Sequence, residues 1–266
     1  MNDEADRIDY AEAGDGPTVV MVPGSCSTGA AWKPVMSACG TGLRFVTTSL
    51  PGYGGTRERR SETDPSMAHV AGAVEAVIRK AGGPVHLAGH SFGGLAALAV
   101  ALRGNVPLAS LSIIEPPALG VLACYGDTVE LAAFGKMLGE YQRAFAGGQR
   151  DAIANMIDFY GGAGTFASWP ERARGYAMET TAVNLIDWKT AQGFALTQDD
   201  LAALALPTLL LCGRNSPAPM QRIVARLQAS IPEAEADFID DAAHFMIATH
   251  AAEVAARVRK HISRAA

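Results

Sequence analysis

The chain has 266 residues, of which 49% are apolar and 18% charged, with a formal net charge of −5. This length can bury a large core, and the acidic balance argues against a nucleic acid partner. The acidic opening 1–6 lacks the positive charge of a secretory leader, and no apolar run reaches the ~20 residues that span a bilayer. We therefore expect a cytoplasmic protein that acts on a small molecule, with no membrane or nucleic acid partner.

The four cysteines are scattered along the chain without C-x-x-C spacing. In a secreted domain an even set of cysteines would indicate disulfides, and a metal site would need clustered ligands. The pattern indicates reduced thiols in a cytoplasm and implies neither a metal nor an organic cofactor. The four residues are Cys26, Cys39, Cys124 and Cys212.

The first third of the chain predicts three strands and a helix. Residues 8–12 alternate as a half-buried edge strand does, whereas 18–22 are apolar throughout, as in a central strand covered on both faces. Residues 44–48 follow as a third strand, and 67–81 are apolar at helical spacing. Between them the charged run 57–60 is interpreted as a solvated loop.

A tight turn follows the next predicted strand, 85–88, and leads directly into an apolar helix over 95–102. Residues 89–93 form a G-x-S-x-G motif, which has chemical meaning in this strand, turn and helix context. The turn forces strained backbone angles on Ser91, and the helix start supplies unpaired N–H groups beside its hydroxyl. Ser91 is the predicted nucleophile.

The remaining chain predicts three strands and two helices of a core, with a helical segment between them. The core strands are 109–114, 206–213 and 236–239, and the core helices are 220–231 and 251–262. No strand pattern occurs over 118–205, where helices are predicted at 128–145, 150–160 and 171–188. Nine aromatic residues of this segment could line an apolar pocket, although helix packing will occupy most of them: Tyr125, Phe134, Tyr141, Phe145, Phe159, Tyr160, Phe166, Trp169 and Trp188.

The motif at 89–93, with its strand and helix, resembles the nucleophile turn of the α/β-hydrolases, and the resemblance extends over nearly the whole chain. It implies an α/β fold with a mostly parallel central sheet flanked by helices. It also implies an all-helical cap insertion over 118–205, and a core formed by 1–117 and 206–266. Because residue 91 is a serine, the chain resembles the branch of this superfamily whose nucleophile is a serine.

The same resemblance assigns a base and an oxyanion hole. Members place the catalytic histidine in the loop after the last strand, which here is His244. The loop that usually begins His-Gly reads Pro23-Gly24, so the two backbone donors fall on the N–H groups of Ser25 and Phe92. The Ser25 hydroxyl is expected to satisfy its own turn, and His90 to pack behind the nucleophile. The other histidines are interpreted as structural: His69, His86, His250 and His261.

The acid of the triad departs from the family pattern. The usual G-x-x-D reads Gly213-Arg214-Asn215-Ser216, which offers no carboxylate. Glu115, at the carboxyl end of the strand after the motif helix, is the predicted replacement because catalytic groups gather at that edge of a parallel sheet. Open alternatives are a Ser91/His244 dyad without an acid, or an acid from Asp240, Asp241 or the cap.

These residues predict a serine hydrolase that cleaves a small, fairly apolar ester, lactone or thioester through an acyl-enzyme on Ser91. C–C bond hydrolysis, lyase and perhydrolase chemistry on the same triad stay open. A ligand-binding receptor on a hydrolase scaffold is the alternative outside enzymes, and it depends on the missing acid at Ser216.

Overall fold

The computed structural model of the protein describes residues 7–265. Residues 1–6, on which the expectation about a leader depends, lie outside the described residues. Among the helices of 7–265, none is long and apolar enough to cross a lipid bilayer.

Seven strands form one sheet. They are β1 (Ala11–Ala13), β2 (Thr18–Val22), β3 (Arg44–Thr47), β4 (Val85–His90), β5 (Leu108–Ile114), β6 (Thr208–Gly213) and β7 (Ala234–Ile239). Their order in the sheet is β1-β3-β2-β4-β5-β6-β7. Strand β1 is antiparallel to β3, and the other neighbouring pairs are parallel. The predicted mostly parallel sheet is confirmed.

The described residues form thirteen α-helices. They are α1 (Lys33–Cys39), α2 (Met67–Ala81), α3 (Phe92–Arg103), α4 (Leu119–Tyr125), α5 (Thr128–Ala146), α6 (Ala154–Gly161), α7 (Thr165–Ser168), α8 (Glu171–Glu179), α9 (Thr181–Gly193), α10 (Gln198–Ala202), α11 (Ala218–Ser230), α12 (Met246–Thr249) and α13 (Ala251–Ala265). A 3₁₀ helix, Gly29–Trp32, precedes α1. Helices α1 and α13 pack together on one face of the sheet, and α2, α3 and α11 cover the other.

Strand β2 shows why the central strands read as unbroken apolar runs. Val20 and Val22 belong to the core cluster on one face of the sheet, and Val19 and Met21 to the cluster on the other. Because successive side chains point to opposite faces, a strand covered twice needs apolar residues at every position.

The edge strand β1, Ala11–Ala13, is shorter than the predicted 8–12 and shares only residues 11 and 12 with it. The residues before it bond to the loop after β3 instead. Asp9 N donates to Thr56 Oγ1 at 3.0 Å, and Thr48 Oγ1 donates to Asp9 O at 2.7 Å. These contacts take up the backbone groups that a longer strand would pair with β3.

All of α4 to α10 lie between β5 and β6. The single helix predicted over 171–188 is wrong, because α8 and α9 are separate helices that meet at Thr180 with φ −97° and ψ 10°. The Thr180 hydroxyl donates to Tyr176 O at 2.8 Å, a local bond that competes with helical continuation. The division into a core and a cap at 117/118 and 205/206 stays a prediction.

Candidate active site

Ser91 lies in the turn between β4 and α3 with φ 54° and ψ −127°. A positive φ is strained for a residue with a side chain, so the surroundings must enforce it. The glycines of the motif allow the backbone of this turn to lie close to its neighbours. A Cβ on Gly89 would lie 2.3 Å from Gly93 O, and one on Gly93 would lie 2.2 Å from Pro23 O. No other residue type fits at these two positions without moving the backbone.

His244 lies in the loop between β7 and α12, with its Nε2 at 2.9 Å from Ser91 Oγ. The Tyr160 ring stacks on the imidazole at a centroid distance of 4.1 Å, and the edge of Phe245 approaches at 5.3 Å. His90 Nε2 donates to His244 O at 2.8 Å, which confirms that His90 supports the site from behind. Backbone and ring of His244 are therefore held independently.

Glu115 follows β5 directly, with a positive φ of 45°, and its side chain is fully buried. Its Oε2 lies 2.7 Å from His244 Nδ1. Asp240 and Asp241, the alternatives in sequence, are exposed, and Asp240 pairs with Arg214 at 2.5 Å. Of the carboxylates considered from sequence, the structure brings Glu115 to the imidazole.

Ser216 turns out to be a partner of the displaced acid. Its hydroxyl donates to Glu115 Oε1, and Gly213 N donates to the same oxygen at 2.8 Å. Burial opposes ionisation of the carboxyl, but the hydrogen bonds from His244, Ser216 and Gly213 outweigh burial and hold the pKa of Glu115 below its ordinary value. The site thus contains a buried, ionised carboxylate against the imidazole.

The two predicted oxyanion donors belong to segments that adjoin Ser91. Phe92 begins α3, so its N–H has no partner within the helix. Gly24, next to Ser25, approaches so closely that a Cβ there would lie 3.0 Å from Ser91 Cβ. Within residues 7–265, neither Ser25 N–H nor Phe92 N–H donates to a protein acceptor. Both groups are available to a bound molecule.

The expectation for the Ser25 hydroxyl is wrong. Ser25 Oγ does not satisfy its own turn but donates to Asp187 Oδ2 of α9 at 2.5 Å, and Tyr53 Oη donates to the same oxygen at 2.6 Å. Asp187 itself is buried. The loop that carries a predicted oxyanion donor is thereby attached to the helical segment.

The interpretation of 57–60 as a solvated loop is also wrong at Arg60, whose side chain is fully buried. Its Nη1 lies 2.7 Å from Asp187 Oδ1, and its Nη2 lies 2.7 Å from Glu58 Oε2. A buried guanidinium is tolerated because both carboxylates compensate for the lost hydration. The sequence alone does not show that this arginine is buried, because it stands in a run of charged residues.

Sequence reasoning missed Asp187, although a signal was present. Asn184, Asp187, Trp188 and Ala191 recur at helical spacing and form a buried stripe of α9. Polar residues within such a stripe indicate a buried contact or a site rather than a solvated face.

A cavity of about 1210 Å³ opens above Ser91 and His244. Of the aromatic residues proposed from sequence, Tyr160, Trp169 and Trp188 line it, and Tyr176 and Phe245 add to them. The remaining six of the predicted set do not line the cavity: Tyr125, Phe134, Tyr141, Phe145, Phe159 and Phe166. The walls are therefore mainly apolar and aromatic around a polar floor.

The remaining histidines and the cysteines lie apart from the Ser91–His244 contact, except for Cys26 on the cavity wall. His86 bonds to Ser110 at 2.8 Å and His69 pairs with Asp64 at 2.8 Å, as structural residues do. All four cysteines are free thiols, and burial raises the pKa of Cys26 to about 12. Over 7–265, no three His, Cys, Asp or Glu side chains are grouped to hold a metal ion.

A model of the alpha/beta hydrolase family matches residues 19–257. The pimeloyl-[acyl-carrier protein] methyl ester esterase of Aeromonas hydrophila subsp. hydrophila is 25% identical over 243 residues, covering 89% of this chain and 92% of that protein.

Two solved structures share the fold. MenH from S. aureus superposes with a TM-score of 0.77 at 17% identity, covering 96% of this chain and 98% of that one. A thermophilic esterase from Thermogutta terrifontis gives a TM-score of 0.75 at 21% identity, covering 97% and 93%. Since the family model matches 19–257, which includes β3 to β7 and all but the first residue of β2, the chain belongs to the alpha/beta hydrolase family of enzymes.

Proposed function

We propose that the protein is a serine hydrolase that cleaves carboxylic esters of fairly apolar acids or alcohols, with lactones and thioesters as related substrates. One observation carries the proposal. A continuous line of contacts runs from Ser91 Oγ to His244 Nε2 at 2.9 Å and from His244 Nδ1 to Glu115 Oε2 at 2.7 Å. A nucleophile, a base and a group that orients the base are what acyl transfer needs.

In the first half of the reaction, Ser91 Oγ attacks the carbonyl carbon while its proton moves to His244 Nε2. The carbonyl electrons move to the oxygen, whose negative charge the N–H groups of Ser25 and Phe92 stabilise. The tetrahedral intermediate then collapses and breaks the bond to the alkoxide, which leaves as the alcohol with the proton from His244. The product on the enzyme is an ester of Ser91.

In the second half, water replaces the alcohol. His244 takes a proton from the water as its oxygen attacks the acyl carbon, and the same N–H groups stabilise the second oxyanion. Collapse breaks the bond to Ser91 Oγ, which recovers the proton from His244, and the free acid leaves. Glu115 stabilises the imidazolium in both halves, and its depressed pKa keeps it ionised for this role.

The cavity supports an apolar substrate. Its volume of about 1210 Å³ exceeds the ~300–1,000 Å³ of ordinary small-molecule sites, and aromatic rings such as Trp169 and Trp188 form its walls. The curated relative from Aeromonas hydrophila is named for a methyl ester of a carboxylic acid. Esters are accordingly the first class to test.

The receptor alternative had depended on the absence of an acid at Ser216. The contact between Glu115 and His244, and the hydrogen bond from Ser216 to the same carboxylate, support Glu115 as that acid and favour an enzyme over a receptor. C–C hydrolysis, lyase and perhydrolase chemistry use the same groups, and product analysis distinguishes them from ester hydrolysis.

The proposal is tested by the intact mass of the protein after brief exposure to a fluorophosphonate. We expect one phosphonyl adduct in the wild type and none in Ser91→Ala or His244→Ala, because only an activated serine attacks phosphorus at a useful rate. Hydrolysis of p-nitrophenyl esters of increasing acyl length follows. A folded wild type that acquires no adduct and cleaves no ester contradicts the proposed function.

A further inference from the structure

A buried ion pair lies beside the candidate site and has no part in the reaction steps given above. Asp187 Oδ1 of α9 lies 2.7 Å from Arg60 Nη1, and both side chains are at most 3% exposed. Glu58 gives Arg60 a second carboxylate at 2.7 Å. Burial raises the pKa of Asp187, and the charge of Arg60 acts against that rise.

Each end of the pair contacts one of the two residues assigned to the oxyanion hole. Asp187 Oδ2 accepts from Ser25 Oγ at 2.5 Å. On the other side, the Arg60 guanidinium lies 5.6 Å from the centre of the Phe92 ring, within the range of a cation–π contact. A single ion pair therefore contacts the side chains of both residues to which the oxyanion hole is assigned.

The backbone around Ser25 needs such support. Cys26, the next residue, has φ 57°, a left-handed conformation that is strained for a residue with a side chain. A strained loop keeps its shape only where neighbouring groups constrain it. Two side chains of 24–26 reach outside the loop: Ser25 Oγ bonds to Asp187, and the Cys26 thiol contacts Thr180 and Tyr53.

We propose that Asp187 and Arg60 are positioning residues that fix the two backbone donors of the oxyanion hole and make their geometry depend on the placement of α9. The inference rests on the proposed function. An apolar pair of similar volume would pack this region without the desolvation cost of two charges, but it could not accept from the Ser25 hydroxyl as Asp187 does or place a cation over the Phe92 ring as Arg60 does. Neither residue touches the reacting atoms.

The test measures the rate of fluorophosphonate labelling of Ser91 as a function of probe concentration. In Asp187→Asn and in Ser25→Ala, we expect the maximal labelling rate to fall about tenfold or more, since removal of a whole donor costs about 10²- to 10³-fold and displacement costs less. The half-saturating probe concentration should stay within about twofold, because each substitution alters one polar side chain of the cavity wall and leaves its aromatic residues in place.

The matched control is Asp127→Asn. Asp127 ties the helical segment to the core through Arg226 at 2.8 Å, away from the cavity, so it has the same chemistry without contact to the oxyanion loops. That variant should lose thermal stability while labelling at the wild-type rate. Ser25→Thr keeps the hydroxyl that bonds to Asp187, so it should label faster than Ser25→Ala. A purely structural role for Asp187 does not predict this difference.

The double variant Ser25→Ala/Asp187→Asn shows whether the two residues act as one unit. We expect its labelling rate to lie close to that of the slower single variant rather than at the product of the two losses. Multiplied losses, or a wild-type rate in Asp187→Asn, overturn the positioning role and leave the proposed function standing. A wild type that is not labelled overturns both. Should Asp187→Asn fail to fold, Ser25→Ala and Ser25→Thr decide the outcome, because they leave the ion pair intact.

Discussion

The carboxylate that contacts His244 is Glu115, whereas the position at which the family pattern places the acid is occupied by Ser216. The carboxylate sits at the end of β5, and a serine stands after β6, where the aspartate is usual. The serine donates to Glu115 Oε1 together with Gly213 N, which leaves Oε2 for His244. The carboxylate is thereby fixed in one orientation, so the longer side chain of glutamate gains no freedom from its extra methylene.

The first residue-scale prediction concerns Glu115→Gln. We expect kcat for ester hydrolysis to fall by about 10³-fold or more, because an amide lacks the charge that stabilises the imidazolium and can hold the ring in the wrong tautomer. KM should change little, since Glu115 lies beneath the cavity. Steady-state kinetics on a p-nitrophenyl ester measures both constants.

Glu75→Gln is the matched control, because Glu75 is another buried glutamate, paired with Arg103 at 2.6 Å far from the cavity. It should lower stability and leave kcat unchanged. Ser216→Ala should give an intermediate loss of activity, since Gly213 N still donates to Glu115. An unchanged kcat in Glu115→Gln contradicts the role of Glu115 as the acid.

The residues of the site differ in how well the sequence predicts them. Ser91 and Glu115 directly follow strands, so local pattern was enough to place them at one edge of the sheet, whereas His244 was assigned from the resemblance to the α/β-hydrolases. Arg60 and Asp187 are 127 positions apart, and their burial depends on how α9 packs over the loop after β3. Local patterns contain no information about a charge compensated at that distance.

At the scale of elements, the turn from β4 into α3 depends on how closely its backbone can approach its neighbours. Gly93 packs against the backbone of β2, where an added Cβ would lie 2.5 Å from Val22 O as well as near Pro23 O. Both neighbours are backbone atoms of a central strand and its loop, so they cannot move aside as a flexible side chain would.

We predict that Gly93→Ala abolishes folding or lowers the melting temperature severely, because the helix must move away from the sheet to admit one methyl group. Gly135→Ala, in the exposed middle of α5 with nothing within 4 Å of the added Cβ, should instead stabilise the protein. The gain should be about 0.5–1 kcal/mol, the difference between glycine and alanine in a helix interior.

Both variants are measured by thermal and urea unfolding. The pair is a matched comparison, since the same methyl group is added to a helical glycine in each. A Gly93→Ala protein as stable as the wild type would contradict the close approach of Gly93 to the backbone of Val22 and Pro23. A destabilised Gly135→Ala would contradict the propensity argument for α5.

Strands and helices were also predictable to different degrees. The parallel strands lay within about two residues of their predicted ends, because burial on both faces leaves a continuous apolar run. Helix α2 matched at both ends, with Ser66 capping its start through a hydrogen bond to Ala68 N. Between β5 and β6, the short helices α4, α7 and α10 were missed, since helices of four to seven residues depend on tertiary packing.

At the scale of the whole molecule, ion pairs join the helical segment to the rest of the fold both at the cavity and away from it. Asp187 reaches Arg60 at the cavity, and Asp127 reaches Arg226 away from it. The central sheet also buries two histidines, both on β4. His90 supports the loop of His244, and His86 contacts Ser110. These neutral rings make the stability of the whole fold depend on pH.

Burial, followed by the charge of His244, lowers the pKa of His90 to about 3, and burial, followed by the charge of His261, lowers the pKa of His86. Below about pH 6.5 the unfolded chain binds protons at these rings that the folded chain refuses, so the free energy of unfolding falls as pH falls. Each such ring contributes at most about 1.4 kcal/mol per pH unit.

We therefore predict that the protein loses stability from pH 7 to pH 5, and that His86→Asn loses it less steeply. Urea unfolding at intervals between these values, followed by circular dichroism and by fluorescence to check two-state behaviour, gives the two slopes. Asp187, whose pKa is raised by burial, acts in the opposite direction, but it contributes equally to both proteins and cancels in the difference. Parallel slopes would show that His86 is protonated as readily in the folded chain as in the unfolded one, contrary to its burial.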